Sequence, residues 1–237
     1  MAKLLLIADM HGENPSGLVR EEIKNSGIER VIFLGDYDTP AVLRELRKLR
    51  IPKKFLVGNH DYHFVNEMGI SGQFMNGLSA SDYFELWNDS PREKKFIEKE
   101  IQRNPLLCLE EELPFGKVAY AHASLVDAGS PDSDAPGYVW GRMNDINQVL
   151  LNFAKMKEKN YSIFFRAHDH DLQGVLTFNP KAENCFEYLA GDRIRLQKSR
   201  RHIVNVGAFV GGSYTVFDDK SGDVHFWNTI YGPRLKK

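Results

Sequence analysis

Two cysteines in 237 residues, Cys108 and Cys185, cannot build a disulfide framework, and they lack the paired spacing of a zinc knuckle. Charge of one sign is missing as well. Lys and Arg number 31 against 32 Asp and Glu, a formal net charge of -1, so no overall field favours long nucleic acid or an anionic membrane surface. The short basic cluster Lys198-Ser199-Arg200-Arg201-His202 reads as a solvated loop or edge. No apolar run approaches the roughly 20 residues of a membrane span, and the N-terminal run is broken by Asp9 too early for a signal-peptide core, so a cytoplasmic location is expected. Low-complexity tracts and composition breaks are also lacking. With 42% hydrophobic and 27% charged residues, the chain reads as one well-buried domain over residues 1–237.

What is present is a recurring layout, clearest in Lys53-Lys54-Phe55-Leu56-Val57-Gly58-Asn59-His60-Asp61. The apolar run Phe55–Val57 predicts a buried strand. Gly58 then lets the backbone turn and deliver Asn59, His60 and Asp61 just past the strand's C-terminal end, where open α/β sheets bind ligands. Four other apolar runs, Leu4–Ile7, Val31–Leu34, Val118–Tyr120 and Ile163–Phe165, end in the same way. Their tips carry Asp9 and His11, Asp36 and Asp38, His122, and His168 and His170, so five of the eight histidines sit at strand ends once His60 is included.

Helices are predicted near Ser16–Asn25, stopped by Gly27 and capped by Asn14 or Ser16, and over Ala41–Leu49 after an N-cap Thr39 and Pro40. Strands alternating with helices at this spacing argue for a parallel sheet. Residues of about 62–116 break the pattern with Gly-rich turns and two helical stretches, Ser81–Asn88 and Pro91–Arg103, and read as a cap-like insertion over the site. Its aromatics, Phe74, Tyr83, Phe84, Trp87 and Phe96, are expected to pack against the sheet rather than stack on a base. A further helix is predicted near Asp145–Lys157. After Arg166 come short segments with Gly and Asp turns, which read as an antiparallel continuation or a second sheet.

The strand tips supply seven candidate metal ligands for one face: Asp9, His11, Asp36, Asn59, His122, His168 and His170. Carboxylate with imidazole suits Mn, Fe, Zn, Co or Ni better than an all-oxygen Ca or Mg site. Asp9-x-His11, Gly35-Asp36, Gly58-Asn59-His60-Asp61, His122 and His168-x-His170, in this order, resemble the calcineurin-like metallophosphoesterase superfamily. Val204–Gly212 is similar to the closing motif of the branch holding protein phosphatases and bacterial diadenosine tetraphosphatases. The resemblance implies an α/β fold, a four-layer αββα sandwich of two mixed sheets flanked by helices. It also implies two divalent or mixed-valence transition metal ions, one held by Asp9, His11 and His170 and the other by Asn59, His122 and His168, bridged by Asp36. A metal-bridging hydroxide would attack phosphorus in line, and His60 would stabilise or protonate the leaving oxygen.

The pattern departs from that branch after Gly35-Asp36. Its second Asp, which orients the histidine, and its phosphate-gripping Arg are absent, because Thr39, Pro40 and Ala41 stand there. Either Asp38 or Asp61 is left to orient His60, and Arg142, in Tyr138-Val139-Trp140-Gly141-Arg142, is the candidate phosphate contact beside Asn59. Asp169 reads as a turn or supporting residue. His63, His202 and His225 read as structural. The expected substrate is a small phosphate ester or nucleotide polyphosphate; the alternatives are a protein serine/threonine phosphatase-like enzyme and a non-catalytic binding scaffold with the same fold.

Overall fold

The computed structural model describes residues 2–61, 106–126, 137–170, 173–178, 186–189 and 192–229. In strand β1 (Lys3–Ile7), Leu4 and Leu6 enter one hydrophobic cluster while Leu5 and Ile7 enter another, and all four are fully buried. A strand whose two faces are both covered reads as an unbroken apolar run, which is why the sequence shows no alternation there. The helix α1 (Ser16–Ser26), strand β2 (Arg30–Phe33), helix α2 (Pro40–Arg47) and strand β3 (Lys53–Phe55) follow, with β1, β2 and β3 pairing in parallel.

Local chemistry sets the helix limits. Thr39 Oγ1 accepts from Val42 N at 3.3 Å ahead of Pro40, capping α2 as expected. α1 follows Pro15 without a side-chain cap; Asn14 Oδ1 accepts instead from Ser16 N at 3.0 Å, in a local turn. Gly27, at φ 65°, ends α1 in the left-handed conformation.

The second half builds the other sheet and completes the first: β4 (Cys108–Leu113), β5 (Gly116–Ala121), the short helix α3 (Gly137–Trp140), α4 (Ile146–Lys159), β6 (Ile163–Arg166), β7 (Gly174–Phe178), β8 (Phe186–Leu189), β9 (Arg193–Arg195), β10 (Arg201–Asn205), β11 (Ser213–Asp218) and β12 (Asp223–Asn228). Asp145 Oδ1 caps α4 by accepting from Asn147 N and Gln148 N at 2.8 and 3.0 Å. One sheet runs β3-β2-β1-β11-β12-β9 and the other β4-β5-β6-β10-β7-β8. A cluster including Leu6, Ile32, Tyr120, Phe165 and Phe217 fills the space between them, while α1 and α2 cover one outer face and α4 the other. This is the expected four-layer αββα arrangement with two mixed sheets.

Three expectations change. Cys108–Leu113 is an edge strand paired antiparallel with β5, so the sheet resumes within the stretch expected to form the insertion. The two helical stretches of that insertion and its aromatics are outside the described residues. The late strands form neither a simple continuation nor a separate sheet: β9, β11 and β12 join the first sheet, β7, β8 and β10 the second, and β10 lies parallel to β6. Finally, β3 ends at Phe55, with Leu56 and Val57 buried beyond it and Asn59–Asp61 in helical backbone.

Candidate metal centre

The parallel strands β1, β2 and β3 of one sheet and β5 and β6 of the other end at a common rim. Two glycines bring their tips together. A Cβ on Gly35, where φ is 108°, would sit 2.2 Å from Gly58 N, and a Cβ on Gly58 would sit 2.1 Å from Asp36 Oδ1. Only hydrogen fits at either position, so the loops carrying Asp36 and Asn59 close to backbone contact.

The tips are held under conformational strain. Among the described residues seven non-glycine residues have left-handed φ; six are Asp9, His11, Asp36, Asp38, His168 and His170, and the seventh, Asn160, ends α4. Such conformations persist where surrounding bonds over-determine them, and they concentrate at functional sites. Here the bonds include Asp9 N to Gly35 O at 3.2 Å, His11 N to Asp36 O at 3.0 Å and His168 N to Asp9 Oδ2 at 3.2 Å.

All seven expected ligands converge. His11 Nε2 stands 3.1 Å from His170 Nε2, with Asp9 Oδ1 3.5 Å from the latter. Asn59 Oδ1 lies 2.9 Å from both His122 Nε2 and His168 Nδ1. Asp36 Oδ2 sits between these groups, 3.3 Å from His122 Nε2 and 4.0 Å from His11 Nε2. Asp9, Asp36 and His122 are fully or almost fully buried, and Asp9 Oδ1 has no hydrogen-bond partner there. A buried carboxylate oxygen without a donor, facing imidazole nitrogens that also face one another, is the donor set a cation completes. His122 Nδ1 donates to the Leu34 carbonyl at 2.9 Å, which turns its Nε2 lone pair toward the site.

The electrostatics fit the same picture. Burial is the largest influence on the His122 and His60 pKa values and lowers both. The surrounding carboxylates together outweigh it, Asp36 with Asp9 and Asp61 at His122 and Asp36 with Asp38 and Asp61 at His60, and both rise to about 9. His11 also rises against burial, through its hydrogen bond to Asp38 and the Asp36 charge. Despite burial, the surrounding histidines hold the Asp36 carboxyl well below its ordinary range. Burial and the neighbouring His122 push His168 down to about 2, which leaves it a neutral donor.

The supporting carboxylates separate by role. Asp38 Oδ1 binds His60 Nδ1 and its Oδ2 binds His11 Nδ1, each at 2.9 Å. Asp61, the other candidate partner of His60, instead receives three backbone N–H groups: Asp36 N at 2.7 Å and Gly58 N at 2.9 Å on Oδ2, and Tyr37 N at 3.1 Å on Oδ1. It is a loop clamp. The Arg142 side chain is 56% exposed, with Nη1 3.7 Å from Asp169 Oδ1, so it stands beside the His168–His170 loop rather than within the ligand cluster. The sequence reading missed Arg166, which is buried behind that loop. Its signal would have been a charged residue ending an otherwise apolar strand. His202 is structural as expected, bonded through Nδ1 to Thr177 Oγ1 at 2.9 Å, and His63 is outside the described residues.

Residues 2–180 match the calcineurin-like phosphoesterase superfamily domain. The chain belongs to that superfamily. No curated protein sequence matches it. Among solved structures, a metallophosphoesterase from Sphaerobacter thermophilus superposes with a TM-score of 0.60 at 19% identity, covering 95% of this chain and 86% of its own. A hypothetical protein from Pyrococcus horikoshii OT3 gives 0.55 at 15% identity, covering 96% and 88%. At such identities these likenesses attest the fold, while the domain match makes this calcineurin-like protein a metal-dependent phosphoesterase that uses divalent ions. Among the described residues no helix is long and apolar enough to cross a membrane.

Proposed function

We propose that this phosphoesterase is a two-metal enzyme hydrolysing small phosphate esters or nucleotide polyphosphates. The observation that carries the reading is the division of the donors around Asp36. Asp9, His11 and His170 would hold one ion, Asn59, His122 and His168 the other, and Asp36, facing both groups, would bridge them. When bound, such ions acidify water and neutralise charge developing on phosphoryl oxygens.

The remaining work falls to the chain's own groups. His60 is kept protonated at neutral pH by the carboxylates around it, and with Nδ1 engaged by Asp38 its Nε2–H is the proton to give to a leaving oxygen. Asp38 fixes the ring and also ties it to His11, so proton donor and metal ligand share one anchor. Arg142, largely exposed at the rim, would grip a substrate phosphate by a forked contact.

Metal analysis of the purified protein, followed by hydrolysis of p-nitrophenyl phosphate, bis-p-nitrophenyl phosphate, a phosphoserine peptide and a dinucleoside polyphosphate with added Mn²⁺, tests this reading. Two ions per chain, turnover of the small esters or the polyphosphate and little of the peptide are expected. One ion per chain would remove the two-metal assignment. Preference for the peptide would replace the substrate class, and metal without turnover of anything would favour a scaffold.

A further inference from the structure

Arg166 is the last residue of β6, and only 2% of its surface is exposed. A guanidinium so far from water requires acceptors, because an unpaired buried charge is strongly destabilising. Its Nε donates to the Ala123 carbonyl at 2.7 Å, and its Nη2 donates to Asp169 Oδ2 at 2.6 Å. The same carboxylate oxygen accepts from Met143 N at 3.3 Å. Ala123 directly follows His122, and Asp169 stands between His168 and His170. One planar fork therefore joins the two loops that carry three of the four ligand imidazoles. Ala167 N, donating to the His122 carbonyl at 2.9 Å, closes the connection on the other side. His168 and His170 both hold left-handed backbone, at φ 76° and 54°, and the carboxylate anchored between them restrains that geometry.

We propose that Arg166 and Asp169 are positioning residues for the metal centre. Together they lock the His122 loop against the His168–His170 loop so that three imidazoles converge, and neither touches metal or substrate. This inference rests on the metal-centre reading above. An arginine suits the task because its nitrogens lie in a rigid plane and can address a carbonyl and a carboxylate at once, which a lysine ammonium on a flexible stem does not do. Groups that orient metal ligands from behind tune affinity strongly when altered.

The test uses the full chain, stripped of metal, as wild type, Arg166→Met, Asp169→Asn and the double variant. Each is titrated with Mn²⁺ by calorimetry and with Co²⁺ by visible absorption, at a temperature where circular dichroism shows it folded. Each variant is expected to bind about 10–100-fold more weakly. The double variant should bind no worse than the weaker single one, because the pair acts as a unit. The Co²⁺ bands should shift in all three. Should Arg166→Met not fold, Asp169→Asn and the double variant, which lacks both charges, decide the matter. Folded variants with the wild-type Co²⁺ spectrum and affinity would overturn the inference alone. A wild-type protein that takes up neither ion would overturn the metal-centre reading and this inference with it.

Discussion

Replacing Asp61 by alanine removes the acceptor for three N–H groups at once, those of Asp36, Tyr37 and Gly58, in a place where Asp61 itself is fully buried. An orphaned buried donor costs about 1–3 kcal/mol, so three cost about 3–9 kcal/mol before relaxation. Water reaching the opened loops recovers part of that, and a loss of about 3–5 kcal/mol is expected. This is a large share of the roughly 5–15 kcal/mol that holds a typical domain folded. Asp61→Asn is the informative companion. With its carbonyl oxygen in the Oδ2 position it still serves Asp36 N and Gly58 N, but its amide group then faces Tyr37 N–H, so about half the loss is expected. Urea unfolding followed by tryptophan fluorescence, with midpoints compared at equal slope, measures both. The same clamp joins the Asp36 loop to the Gly58 loop, so metal affinity should fall in the folded fraction too. An Asp61→Ala midpoint within about 0.5 kcal/mol of wild type, the range of ordinary surface changes, would refute the reasoning.

His60→Ala should lower kcat by about 10²–10⁴-fold, the usual worth of a positioned proton donor, and leave metal content unchanged; unaltered turnover of p-nitrophenyl phosphate and bis-p-nitrophenyl phosphate would remove the assignment. Metal uptake near pH 7 should release protons, because His122 at about 9 is protonated in the metal-free protein and must be neutral to ligate. Calorimetry in buffers of different ionisation enthalpy reads that release, and identical heats in all of them would contradict it. Burial holds His202 down at about 4, below its unfolded value near 6.5. The unfolded chain therefore binds the extra proton between those pH values. The stability His202 contributes is complete above about 6.5 and lost as pH falls toward 4, up to about 3 kcal/mol. The difference in urea midpoint between wild type and His202→Phe should narrow over that window, and a pH-independent difference would show that the imidazole titrates alike in both states.

The convergence of the candidate site was legible in the sequence because its signal is local. Each candidate ligand follows a short apolar run, and the two-sided burial of β1, β2, β5 and β6 makes such runs stand out. Which sheet a late strand joins was not legible, since β11 pairs with β1 across almost the whole chain and nothing in Ser213–Asp218 marks that partner. Strand β4 was hidden by composition. Three consecutive glutamates obscure its period, yet Glu111 faces Arg30 of β2, with Arg30 Nη1 donating to Glu111 Oε1 at 2.8 Å, while Glu110 and Glu112 are exposed. The choice between Asp38 and Asp61 turned on backbone N–H groups, which carry no residue identity and leave no trace in a sequence.

The β1 strand lies between β2 and β11, and its tip receives Phe209 N on the Ala8 carbonyl at 2.8 Å and Val210 N on the Asp9 carbonyl at 3.1 Å. A nascent chain therefore exposes the residue 9 and 36 acids long before the imidazoles at 168 and 170, or the turn at 209–210 that braces the β1 tip, leave the ribosome. Contacts of such sequence separation form late, so cations reaching an immature polypeptide meet scattered weak ligands instead of a finished cradle. The complete cradle exists only once both ends of the chain have met, and a product ending before residue 209 would keep every candidate ligand yet lose the two backbone bonds that hold the Asp9 tip.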